Sequence, residues 1–282
     1  MTSVGHKKII QPLIKMDNNY FDCNHDNFYN YIKRIKPHNG NKLISIILPV
    51  FNEEKSIQKV VKSLPYNELI EIITVDDCST DGSVEKIVEL MKEREIVLVR
   101  HTKNKGYGGA ITSGAKKARG DYIVTMDSDG QHCPDDIINL IRPIIQGKAD
   151  YTIGSRYLGL NLYNLPLKTR VGEAIVEKII HLLFRVKIMN NQNGFRAFNR
   201  KILYLFDDIK YEGYTFCTEM ILKTIMFGHT IKECPITVLD REHGASHIKI
   251  VNLTLNVFSC IFRYLLKRIR LHLIGQKYRR NK

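Results

Sequence analysis

From Leu43 onward, short apolar runs alternate with segments of helical period, and that alternation leaves the chain very few folds. Leu43 to Val50 is followed by a helical pattern over about 54–64, Ile70 to Val75 by one over about 82–93, and Ile96 to Arg100 by one over Ala110 to Ala118. Tyr122 to Met126 precedes a helical pattern over Asp135 to Gln146, and Tyr151 to Gly154 reads as a further short strand. Strands alternating with helices predict an α/β fold with a mostly parallel sheet covered on both faces. Ligands bind such sheets outside the carboxyl ends of the strands, so the loops that follow the strands are where chemistry is expected.

Those loops are acidic. The strand Tyr122 to Met126 runs straight into Asp127 and Asp129, two residues apart and therefore on one side of an extended chain. Oxygen-only ligands of this kind suit Mg2+ or Mn2+ rather than zinc, and a divalent ion shared with a diphosphate is the obvious use. Alone, an Asp-x-Asp also reads as an Asx turn capping the helix near Pro134. After the first strand stands Leu48-Pro49-Val50-Phe51-Asn52-Glu53-Glu54, where Pro49 removes a ladder donor. After the second comes Asp76-Asp77-Cys78-Ser79-Thr80-Asp81-Gly82, with Asp81 placed to cap the next helix. At least one of Asp76 and Asp77 is then expected to be free to accept from a nucleobase N–H or a ribose hydroxyl. Asn104-Lys105-Gly106-Tyr107-Gly108-Gly109 opens the third helix and is neither a P-loop nor a dinucleotide fingerprint.

The second half is less regular. Residues 168–189 predict a basic amphipathic helix, 195–199 a short strand, 217–227 a helix and Ile231 to Val238 a last strand. The net charge is +14, and nine of the basic residues lie after Glu242, beyond which no acidic residue occurs. There, apolar residues over 250–272 are interleaved with Arg and Lys, and the uncharged run from Ile250 to Phe262 falls short of the roughly 20 residues a spanning helix needs. A basic amphipathic helix on an anionic membrane surface and a terminal helix packed on the core both fit this pattern. The domain expectation is an appendage over 1–42, partly helical around 26–35, a catalytic-type α/β domain over 43–247, and the basic segment 248–282. Six cysteines without Cys-x-x-Cys spacing point to reduced thiols in a cytosolic setting. His243 and His247 flank Gly244 and Ala245, which favours a loop over a zinc helix. No N-terminal stretch has the apolar centre of a signal peptide.

In order along the chain, Pro-Val-Phe-Asn-Glu at 49, Val-Asp-Asp-Cys-Ser-Thr-Asp-Gly at 75, Asn-Lys-Gly-Tyr-Gly-Gly-Ala at 104 and Met-Asp-Ser-Asp-Gly-Gln-His at 126 resemble glycosyltransferase family 2. Gly-Ser-Arg-Tyr at 154, Asn-Gly-Phe-Arg at 193, Glu-Met at 219, Pro-Ile at 235 and Arg-Glu-His-Gly-Ala-Ser at 241 extend the resemblance toward its dolichyl-phosphate mannosyltransferase and polyprenyl-phosphate glucosyltransferase branch. The resemblance implies a GT-A-like, Rossmann-like sheet. It implies that Pro49, Glu53 and Asp77 line a base and ribose pocket, with Asp76, Lys105, Gly106 and Ser128 in the same donor-side loops. It further implies that Asp127 faces ribose or diphosphate, that Asp129 and Gln131 bind the metal, and that Arg156 and Arg241 hold phosphates. Where relatives of this branch follow the residue at Ser246 with Lys, this chain has His247 and reaches Lys249 later.

The expected function is inverting transfer of mannose or glucose from a nucleotide diphosphate sugar, GDP-mannose or UDP-glucose, to a polyprenyl phosphate at the cytoplasmic face of a membrane. An already ionised phosphate acceptor needs no general base; a hydroxyl acceptor does, and Glu219 is then the candidate. Two other readings stay open: a soluble family 2 enzyme acting on a saccharide or protein hydroxyl, and a basic nucleic-acid-binding protein, for which the acidic loops have no use. Arg156 and Arg241 also fit surface ion pairs, and Glu219 a charge at a helix N-terminus.

Overall fold

The computed structural model describes residues 25–38, 42–162, 166–240 and 250–273. Seven strands form one sheet: β1 (Ile44–Val50), β2 (Ile70–Asp76), β3 (Ile96–Arg100), β4 (Tyr122–Thr125), β5 (Tyr151–Ser155), β6 (Arg196–Asn199) and β7 (Ile231–Pro235). Their spatial order is β3-β2-β1-β4-β6-β5-β7. Strands β1 to β4 are mutually parallel; β6 enters antiparallel between β4 and β5, and β7 lies parallel to β5. All strands but β6 therefore point the same way, and the carboxyl ends of β1, β2, β4 and β5 share one edge.

The period-2 alternation divides each strand between two cores. Ile44, Ile46, Leu48 and Val50 of β1 join Ile70, Ile72, Tyr122 and Val124 on one face, packed against α2 (Ile57–Ser63), α3 (Ser83–Leu90) and α5 (Ile137–Ile145). Ile47 joins Ile73, Val75 and Ile123 on the other, under α4 (Gly106–Lys117) and α7 (Phe216–Met226). Burial on both faces is what a parallel sheet requires. A third cluster joins α6 (Leu167–Phe184), α7 and α8 (Ile250–Leu273) through Val176, Ile180, Phe184, Leu222, Val257, Cys260, Ile261 and Tyr264. Helix α1 (Asp26–Ile32) buries Phe28 and Ile32 in the first core, each contributing about 1.5–3 kcal/mol of burial.

Several boundaries differ from the sequence reading. Helix α4 begins at Gly106 rather than Ala110, because its glycines let the first turn approach the chain at 212–216: a Cβ on Gly108 would stand 2.5 Å from Phe216 Cβ and 2.9 Å from Glu212 O. Helix α6 stops at Phe184, where Arg185 turns left-handed with φ 61°. Strand β7 ends at Pro235, beyond which Val238 makes isolated bridges to His132 and Asn161. The residues at 200–206 form a 3-10 helix that the sequence pattern does not announce. Arg241, His243, Ser246, His247 and Lys249 lie outside the described residues, as does most of the expected N-terminal appendage.

Candidate active site

At the carboxyl edge the chain knots its loops together with side-chain hydrogen bonds. Asn52, left-handed at φ 57°, donates its N–H to Ser79 Oγ at 3.0 Å and accepts from Thr80 N at 2.8 Å, tying the β1 loop to the β2 loop. Asp81 Oδ1 accepts from Ser83 N at 3.0 Å from one residue ahead of Gly82, which holds the N-cap position expected of Asp81, while Oδ2 accepts from Glu54 N at 3.1 Å. Glu53 accepts from Ser56 Oγ at 2.7 Å, and its own N–H donates to Ser83 Oγ at 2.8 Å.

The two adjacent aspartates of the β2 loop are both buried and differ in what they hold. Asp77 accepts from Lys105 N at 2.8 Å, from Gly106 N at 2.7 Å and lies 2.7 Å from His101 Nδ1, so its carboxylate shapes the turn into α4. The backbone N–H groups of Lys105 and Gly106 are thus both taken up by Asp77. Asp76 keeps more accepting capacity: Oδ1 accepts from Ser79 N at 3.0 Å, and Oδ2 stands 3.9 Å from Arg100 Nε.

The β4 loop joins the same edge. Ser128 donates from Oγ to Pro49 O at 2.7 Å, which clamps Asp127 and Asp129 beside the end of β1. The Asp127 side chain is 32% exposed and its carboxylate covers Gly194, where a Cβ would stand 2.3 Å from Oδ1. Tyr107 donates to Gly194 O at 3.2 Å and Thr125 Oγ1 to the same oxygen at 2.7 Å, linking the α4 loop to the residue under Asp127. Burial, then the charge of Asp127, pushes the Tyr107 phenol well above its ordinary value and keeps it a donor. Asp129 Oδ1 accepts from Gln131 N at 3.0 Å, and the Gln131 amide nitrogen donates to Leu239 O at 3.2 Å, which leaves its carbonyl oxygen to another partner.

Arg156 follows β5 on this edge. With the Asn190 carboxamide turned to suit its neighbours, its oxygen accepts from Arg156 N at 3.3 Å, Arg156 Nε at 3.2 Å and Asn193 Nδ2 at 3.2 Å. That contact engages Nε of the guanidinium and not its terminal nitrogens. His132, 5% exposed, is pushed down to about 4 by burial, with Asp129 and Arg156 acting on it in opposite directions. Beside Arg156, Tyr157 donates to Glu173 at 2.5 Å, and burial raises the Glu173 carboxyl.

Glu219 requires a correction. Its side chain is wholly buried, and its carboxylate accepts from Lys210 N at 3.0 Å, Tyr211 N at 2.9 Å and Tyr264 Oη at 2.7 Å. Those donors make it the anchor between α7, the 210–211 turn and α8, with no carboxylate oxygen presented to a substrate. A base role does not fit that environment.

Residues 45–206 match the profile of Glycosyl transferase family 2. A UDP-N-acetylglucosamine–dolichyl-phosphate N-acetylglucosaminyltransferase of Methanococcus voltae is 34% identical over 241 residues, covering 78% of this chain and 94% of that protein. The chain belongs to glycosyl transferase family 2. A dolichol-phosphate mannosyltransferase of Pyrococcus furiosus is 32% identical over 214 residues, covering 73% of this chain and 59% of that protein. Among solved structures, glucosyl-3-phosphoglycerate synthase of Mycobacterium tuberculosis, in complex with Mn2+, UDP and phosphoglyceric acid, matches with a TM-score of 0.61 at 19% identity, covering 79% of this chain and 78% of that one. At that identity the likeness speaks for the fold, and it agrees with the GT-A-like sheet expected from the family 2 motifs.

Whether this family 2 glycosyltransferase suits a divalent cation is a question of donor chemistry. No cluster of three or more His, Cys, Asp or Glu side chains converges to hold a metal among the described residues. Asp129 and the Gln131 carbonyl nevertheless supply hard oxygen donors on one loop, which fits Mg2+ or Mn2+ completed by oxygens of a bound diphosphate. The residues that sequence reasoning left without a role are Asn190, Gly194 and His132. Asn-Gly at 193 stood among the motifs, but nothing local says that a carboxylate rests on it.

Proposed function

We propose that this family 2 glycosyltransferase moves a sugar from a nucleoside diphosphate sugar to a polyprenyl phosphate, with inversion at the anomeric carbon. The observation that carries this reading is the clamp of Ser128 on Pro49 O, which sets Asp127 and Asp129 beside the end of β1, on the sheet edge where the strands carrying Asp76 and preceding Arg156 also end. The M. voltae and P. furiosus relatives, both named for dolichyl phosphate, support the acceptor class. Between the two expected donor classes, the longer match favours a UDP-linked sugar over GDP-mannose.

Pro49 and Glu53 border the nucleoside together with Asp76, which takes the place expected of Asp77 because the Asp77 carboxylate is held by Lys105 N, Gly106 N and His101, and Asp127 orients the ribose side of the donor. Asp129 and the Gln131 carbonyl would hold Mg2+ or Mn2+, whose charge stabilises a departing diphosphate. Arg156, pinned by Asn190, offers its terminal donors to a phosphate and helps two anionic substrates approach; Arg241 is assigned the same task on its motif alone. The acceptor phosphate oxygen forms the new bond to the anomeric carbon while the bond to the diphosphate breaks. An ionised phosphate needs no base, which agrees with the interior position of Glu219.

The outward side of α8 supports attachment to a membrane surface. Leu255, Phe258, Phe262, Leu266, Ile269 and Leu273 are exposed and recur at helical spacing along its outward side, while Val257, Cys260, Ile261 and Tyr264 pack inward. Arg263, Lys267 and Arg270 flank that stripe, and basic residues near an anionic surface contribute about 1 kcal/mol each. No helix among the described residues is long and apolar enough to cross a membrane. α8 is therefore assigned a place on the surface of an anionic bilayer.

The test is a panel of UDP- and GDP-sugars with Mg2+ or Mn2+, offered polyprenyl phosphate or a free saccharide. Label appearing in the lipid supports the reading; label appearing only in the saccharide moves the enzyme to a hydroxyl acceptor.

A further inference from the structure

One buried polar atom beside the acidic loop has no hydrogen-bond partner among the described residues. His132 follows Gln131, its ring stacks on Phe195 with centroids 5.0 Å apart and planes at 32°, and its backbone bridges Val238. Nδ1 is buried and makes no hydrogen bond, while Asp127 Oδ2 stands 4.0 Å away. Buried polar groups are almost always paired, so an orphan at the rim of a ligand site marks a contact that forms when the site fills. A separation of 4.0 Å is beyond hydrogen-bond reach. A small turn of the partly exposed Asp127 carboxylate closes it, whereas His132 itself is fixed by Phe195 and the bridge to Val238.

We propose that His132 is a positioning residue: its Nδ1–H donates to the Asp127 carboxylate once a donor nucleotide is bound, locking the orientation in which Asp127 faces the ribose and diphosphate. This rests on the donor reading above and adds to it a residue that touches neither substrate. Asp127 lies on a loop and rests against Gly194, so a further constraint from His132 narrows its orientation. The stack on Phe195 supplies rigidity and the ring nitrogen supplies direction.

Two variants separate the hydrogen bond from the packing. His132→Phe keeps the stack and removes the nitrogen; His132→Asn places an amide N–H where Nδ1 was and gives up the stack. The assignment predicts that H132F raises KM for the sugar nucleotide and Kd for the free nucleoside diphosphate with Mg2+ about tenfold, with kcat changed far less. It also predicts that H132F melts no earlier than the native protein, because an unpaired buried nitrogen has gone, and that H132N stays within about threefold of native donor affinity. Native affinity in H132F, or equal loss in both variants, overturns the assignment. If the native protein binds no nucleoside diphosphate at all, the donor reading falls first and this assignment with it.

Discussion

Asp127 rests its carboxylate on Gly194, so close that a single added Cβ would stand 2.3 Å from Oδ1 and 2.7 Å from Oδ2. The residue across the sheet thus decides where the first acidic side chain of the β4 loop points. Gly194→Ala is predicted to push Asp127 aside and weaken sugar-nucleotide binding about tenfold or more, since displacements near 1 Å at such sites are costly. Isothermal titration with the nucleoside diphosphate and Mg2+ checks this; unchanged affinity means that Asp127 is not held where the donor needs it.

Glu219 offers the opposite outcome. Glu219→Gln weakens hydrogen bonds to Lys210 N, Tyr211 N and Tyr264 Oη, and is predicted to cost about 2 kcal/mol of stability. The folded fraction should keep kcat close to native. A drop of about a hundredfold in kcat with an unshifted urea midpoint places Glu219 in the chemistry after all.

Acid should loosen the far end of the sheet. Burial opposes ionisation of Glu71, but hydrogen bonds from Ser45, from Arg119 N and from the Arg119 side chain, with its charge, overcome it and hold the carboxyl below its ordinary 4.5. The unfolded chain then takes up a proton that the native state refuses, so this contribution is complete above about 4.5 and is lost as pH falls through the lower native value. Urea unfolding from roughly pH 6 to pH 3 should show a shallower acid loss in Glu71→Gln than in the native protein. Parallel curves would remove Glu71 from the account.

Charge on the outward stripe of α8 should detach the protein from lipid. Removing the whole helix would also uncover Ile180, Phe184 and Leu222, so the double substitution Phe262→Asp and Leu266→Asp is the cleaner variant. It is predicted to lose sedimentation with vesicles containing anionic lipid while melting like the native protein. Full retention on such vesicles contradicts the docking role.

Much of this was legible in the sequence wherever function is local. Asp127 and Asp129 follow an apolar strand directly, Asp81 stands at a helix start, and the strand and helix alternation led to the right sheet. Gly106 is expected in a donor-side loop by resemblance, whereas part of the role of Gly106 and Gly108 is to admit the chain at 212–216, an approach that no local pattern encodes. Glu219 was misjudged for the same reason: Tyr264, one of its donors, sits on α8. Asn190 gains its meaning from Arg156 and Gly194 from Asp127, residues that only the fold brings beside them.

The central claim is that Asp129 serves a cation-assisted departure of a nucleoside diphosphate from its sugar. Its most direct test is the rate of nucleoside diphosphate release, with polyprenyl phosphate and a matched sugar nucleotide, in native protein and in Asp129→Ala. The account predicts release that requires Mg2+ or Mn2+ in the native protein and falls by about a hundredfold or more in the variant. Release at the native rate from Asp129→Ala, or release indifferent to chelation of divalent cations, would contradict it.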